Sequence, residues 1–71
     1  MNNYRDEVLA LEMMLDKHTL EIMLDRLSEL CFAKAQHIEE NWQDKALAKA
    51  WSKAGIAIGK LSVTDVIRSV P

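Results

Sequence analysis

The sequence predicts an all-α protein: a helical hairpin over about residues 19–41 and 44–60, an N-terminal helix laid across it, and a short C-terminal element. Two observations lead there. Between Thr19 and Trp42 the apolar residues recur at helical spacing. Turning about 100° per residue from Leu20, the residues Leu20, Leu24, Leu27, Cys31, Ala35, Ile38 and Trp42 fall within about 60° of one line. The second is the connection around Asn41–Asp44, too short to join anything but antiparallel neighbours. A composition of 49% hydrophobic and 28% charged residues suits one globular domain over 1–71 rather than a disordered chain.

In the first helix, Asn2 or Asn3 can serve as N-cap, and Asn3 with Asp6 approximates a capping box. Tyr4, Val8, Leu11 and Leu15 share a face, with Met14 beside them, while Leu9 and Met13 point the opposite way. A helix apolar on two sides must be covered on two sides, here by the central helix and by a second chain. Lys17-His18-Thr19 is the first joint, with Thr19 as N-cap of the central helix; no Gly or Pro marks the break, so a kinked continuous helix is the alternative.

The central helix carries the broad apolar stripe named above, widened by Met23 and Leu30, against Asp25, Glu29, Gln36 and Glu40. Asn41 is placed to take a left-handed C-terminal conformation and Asp44 to cap the third helix. Trp42 is expected in the elbow of the hairpin, capping its core, or partly exposed as an interface anchor. The third helix, Lys45 to about Lys60, has three faces. Leu47, Ala50, Trp51, Ala54, Ile58 and Leu61 are apolar; Ala48, Ser52, Gly55 and Gly59 are small; Lys45, Lys49, Lys53 and Lys60 are basic. A glycine inside a helix costs roughly 1 kcal/mol relative to alanine, so two of them point to close backbone approach. Otherwise Gly59 simply ends the helix. Thr64 can cap a last turn with Val66, Ile67 and Val70, whose β-branched side chains would also suit an extended tail.

Seventy-one residues bury only about 60% of the unfolded surface, and chains this small usually need a staple. The single cysteine, Cys31, lies on the apolar stripe and excludes an internal disulfide. No Cys/His cluster has zinc-finger spacing. Oligomerisation is the staple that remains. A formal net charge of −2 gives no bulk reason to expect nucleic acid or an anionic membrane as partner. The polar, acidic start (Asn2 through Glu7) is unlike a signal peptide, and no apolar run approaches a membrane span, so the expected compartment is the cytoplasm.

His18 with Glu21 and His37 with Glu40 each set a histidine and a carboxylate three apart, a spacing that binds divalent metal when two helices pool ligands. No inward glutamate completes such a set, and a cationic His18 also suits a helix end, so no metal or other cofactor is expected. His37 lies off the face of Cys31, and there is neither a glycine-rich phosphate loop nor a nucleophile elbow. An enzyme is not expected. The lysine face is either a solvated surface, balanced by acids of the first two helices, or a platform for phosphates with Trp42 or Tyr4 as stacking surface.

Leu30-Cys31, Lys34-Ala35, His37-Ile38, Asn41-Trp42-Gln43-Asp44 and Ala48-Lys49-Ala50-Trp51 together resemble a group of short uncharacterised all-helical proteins from bacterial and phage genomes. The likeness spans roughly residues 20 to 55 and carries no activity or site. It implies a mobile-element setting in which small proteins work by binding. The expected function is therefore non-catalytic binding of another protein, as adaptor or inhibitor, by a homodimer or higher oligomer. Leu9, Met13, Trp42, Gly55 and Gly59 are the expected partner interface. The alternative is a nucleotide- or nucleic-acid-binding module using Lys45, Lys49, Lys53 and Lys60.

Overall fold

Four helices in sequence make up the computed structural model, which describes residues 3–70. They are α1 (Asn3–Lys17), α2 (Leu20–Asn41), α3 (Lys45–Ser62) and α4 (Asp65–Arg68). The expected cap at Asn2 and the terminal Pro71 lie outside the described residues; Asn3 is already helical.

Local chemistry sets the breaks. Thr19 is extended (φ −90°, ψ 163°) and its hydroxyl accepts a hydrogen bond from the Ile22 amide at 3.2 Å, so α1 and α2 are separate helices rather than one kinked one. Asp44 accepts from the Leu47 amide at 3.0 Å and starts α3 in the same way. The left-handed residue of the hairpin is Gln43 (φ 54°), not Asn41. Asn41 closes the last turn of α2 instead, its side-chain amide donating to the His37 carbonyl at 3.0 Å. Gly59 does not end α3, which runs through both glycines to Ser62.

α2 and α3 pack side by side along a seam of small residues: Ser28, Cys31 and Ala35 from α2 against Ala48, Gly55 and Ser62 from α3, all buried. The Ser28 hydroxyl donates to the Gly55 carbonyl at 2.6 Å, which is possible only because no side chain stands between the two backbones. A Cβ at Gly55 would lie 3.1 Å from the Ser28 carbonyl oxygen and 3.1 Å from the Phe32 ring. At Gly59 it would lie 3.2 Å from Ser28 Oγ. The small stripe on α3 is thus used within the chain. Gly55 faces the Ser28 backbone of α2 and Gly59 the Ser28 side chain, so both expected interface glycines meet α2 of the same molecule.

This seam turns larger residues to the flanks. Leu27 is 45% exposed, and Leu30, Leu47, Ile56 and Leu61 are exposed too. Among the described residues the buried apolar side chains are Cys31, Ala35 and Ala48, and no large side chain is fully buried. α4 turns back toward the start of α2, where Arg68 meets Glu21 at 3.4 Å, an exposed pair of little energetic weight. Thr64 is the N-cap residue of α4, as expected, but its hydroxyl makes no capping bond and donates instead to the Leu61 carbonyl at 2.8 Å.

α1 departs most from expectation. It does not cross the hairpin. It meets α2 only next to their joint, and none of its residues is buried. The chain fills a slab of 38 × 38 × 14 Å, about one helix thick.

Candidate interaction surfaces

The surfaces follow from a hairpin that spends its small residues on itself and a helix that covers nothing. Where α1 leaves α2, Val8, Leu11 and Leu15 face Leu20, Met23, Leu24 and Leu27 across an open cleft of about 420 Å³, with Glu12 on its rim. Leu11 is 55% exposed here. The opposite side of α1 is apolar as well. Ala10, Met13 and Met14 line a shallow hollow beside Lys17; Met13 is 71% exposed and Leu9 is half exposed. The expected interface residues Leu9 and Met13 are thus on the surface, and so is the face that α2 was expected to cover.

A third hollow lies at the hairpin turn, between the end of α2 and the start of α3. It is lined by Lys34, His37, Ile38, Trp42, Asp44 and Leu47. Trp42 does not cap the core; at 74% exposure it stands out at the C-terminus of α2, where its backbone amide still donates to the Ile38 carbonyl at 2.9 Å. Trp51 is half-buried, with the Lys34 ammonium 5.5 Å above its ring, close enough for a cation–π contact.

Lys45, Lys49, Lys53 and Lys60 are all exposed on α3, and none forms an ion pair among the described residues. Leu47, which shares the turn hollow with Trp42, is two positions from both Lys45 and Lys49, about 160° around the helix. The lysines and Trp42 therefore do not share a face. Tyr4 is also exposed, but on α1.

The histidines stand apart. His37 Nδ1 lies 3.1 Å from the Asn41 side-chain amide, while Glu40 accepts a hydrogen bond from Gln36 at 3.1 Å. No group of three or more His, Cys, Asp or Glu side chains converges among the described residues. Cys31 is buried in the seam, where it packs as a small apolar group. No described helix is long and apolar enough to cross a membrane.

No family model, curated protein or solved structure matches this chain. Its surfaces have to be interpreted from their own chemistry.

Two features were not anticipated from the sequence. Ser28 is central to the seam, and a serine on the flank of a leucine-rich stripe gave little sign of it; its hint was the pair of glycines on α3, whose close approach requires a small partner. Lys34 reaching over Trp51 was hidden because the two residues are 17 apart and meet only once the hairpin closes.

Proposed function

We propose that this is a small helical interaction protein that acts without catalysis, binding another protein as adaptor or inhibitor, and that it works as a homodimer or larger oligomer. One observation carries the proposal: an accessible surface of 5883 Å². A compact monomer of 8.1 kDa would expose about 4,500 Å², leaving an excess of about 1,400 Å². Tyr4, Leu9, Leu11, Met13, Leu30 and Trp42 are each half or more exposed, and apolar surface of this kind marks interaction sites. Met13 with Leu9, and Trp42 beside its hollow, are the anchors proposed for the heterologous partner, since exposed aromatic and methionine side chains suit that role. A bacterial or phage mobile-element setting is part of the same proposal and rests on the sequence resemblance alone.

A second reading keeps the four exposed lysines of α3 as a phosphate-binding face for a nucleotide or nucleic acid. Separation of Trp42 from that face leaves it without the expected stacking platform, so we place it second.

The two separate in one experiment. The tagged protein is compared with a Met13→Ser/Trp42→Ala variant and a Lys49→Glu/Lys53→Glu variant, and what each retains on purification is weighed by native mass spectrometry. Protein binding predicts a stoichiometric polypeptide that is lost from the first variant and kept by the second. Retention of a nucleotide or oligonucleotide, lost only from the lysine variant, would overturn it.

A further inference from the structure

We infer that the cleft between α1 and α2 is the self-association site, and that its occupant is α1 of a second copy, the two chains interlocking about a two-fold axis. This deepens the interaction-protein reading, on which it rests, by assigning one of the bare surfaces to the protein itself. Three observations on the molecule select a second copy over any other partner.

The first is that α1 needs a permanent cover. It is a helix of 15 residues with none buried, and a helix of that length is marginal in water without tertiary packing. A transient target cannot hold it in place when that target is missing. A second copy is present wherever the protein is.

The second is self-complementarity. The cleft has two arms of equal reach: Val8 to Leu15 on α1 and Leu20 to Leu27 on α2 each span eight residues, about 10 Å of helix. One apolar arm of each chain can lie along the other arm of its partner, and a two-fold axis repeats the contact. This is the requirement for an isologous interface that closes at two chains.

The third is area. The surface in excess of a compact monomer, about 1,400 Å² over the whole chain, leaves room for the roughly 800 Å² that each partner contributes to a standard stable interface. Closing the clefts leaves the Leu9 and Met13 side of α1 outward, and the hollow at Trp42 lies at the far end of α2. The surfaces proposed for another protein therefore stay open in the dimer.

The test is sedimentation equilibrium on the full chain, unmodified and with two substitutions placed on opposite sides of α1. The unmodified chain is expected at about 16 kDa, twice the 8.1 kDa of one chain, over a dilution series up to about 100 µM, with a melting temperature that rises with concentration. Leu11→Glu, inside the cleft, is expected to sediment as a monomer and to lose the circular dichroism of the 15 residues of α1. Met13→Glu, outside it, is expected to remain dimeric. Should Leu11→Glu precipitate, Leu11→Ala reads the same contact by dilution, as a rise of tenfold or more in the dimer dissociation constant. A monomer at every concentration with α1 still helical overturns the inference, as does an unchanged dissociation constant for Leu11→Ala, or dissociation by Met13→Glu as readily as by Leu11→Glu. A monomer that still retains a polypeptide partner would overturn this inference and leave partner binding standing; a dimer that retains none would do the reverse.

Discussion

Alanine at Gly55 and alanine at Gly59 are the same chemical change, one turn apart on one helix, and they are expected to act in opposite directions. Each replaces a helical glycine and gains about 1 kcal/mol of intrinsic helix propensity. At Gly59 the new methyl meets Ser28 Oγ at 3.2 Å and then nothing nearer than Ser28 Cβ at 4.0 Å, so a few tenths of an ångström of side-chain rotation relieve it, at a small strain on the Ser28 bond to Gly55. Part of the propensity gain survives, about 0.5 kcal/mol. At Gly55 the methyl meets the Phe32 ring and the Ser28 carbonyl oxygen, each at 3.1 Å. The half-exposed ring can swing aside; the carbonyl belongs to the backbone of α2 and moves only if the helices part. Parting them stretches the 2.6 Å hydrogen bond from Ser28 to Gly55 and loosens the buried seam around Cys31 and Ala48. Overpacking costs of about 1–3 kcal/mol and a weakened hydrogen bond of about 1 kcal/mol outweigh the propensity gain, for a net loss of about 1–2 kcal/mol. The two variants should differ by about 2 kcal/mol in urea unfolding followed by circular dichroism at one fixed protein concentration. Equal stabilisation by both would mean that Gly55 faces open space and that α2 and α3 do not meet along this seam.

Ser28→Ala keeps the close approach but deletes the donor, and Gly55 O retains its place in the ladder of α3, so a loss of about 1 kcal/mol in the same assay is expected. Gln43 holds φ 54° without being glycine; Gln43→Gly should raise stability by about 0.5–1 kcal/mol, visible as a higher melting temperature. Asp44→Ala removes the acceptor for the Leu47 amide and should cost about 1 kcal/mol, whereas Thr64→Ala, whose hydroxyl caps nothing, should cost less.

Much of the hairpin was legible because its limits are set by neighbours in sequence. Thr19 and Asp44 each reach an amide three residues on, and such contacts depend on nothing distant. The orientation of α2 was less legible. Periodicity marks a wide apolar arc, but not which part of it touches α3. Cys31 and Ala35 of the predicted stripe are at the contact, but it shifts toward Ser28 and turns Leu27 and Leu30 outward, since glycine on one helix rewards small residues on the other. Of the two placements the sequence offered for Trp42, exposure rather than capping of the core is the one found, with the left-handed step at Gln43 rather than Asn41. For α1, two apolar sides said that cover is required; they carried no information on where in space the helix would lie. The surfaces at Leu9, Met13 and the lysines were visible as patterns, yet only the fold reveals that Trp42 and Lys49 face different ways.

The order in which the chain is made gives the bare first helix a kinetic consequence. α1 is synthesised before the hairpin, yet among the described residues its own chain offers it only the nearby start of α2 to rest on. The hairpin, by contrast, joins two helices through a short turn, a topology of short loops that closes in microseconds to milliseconds once Ser62 has emerged. A folded hairpin with an unanchored amphipathic segment ahead of it is thus the expected first folded species. With α1 docking on a second copy, as inferred above, maturation becomes a second-order event, faster where sister chains are concentrated than in dilute solution.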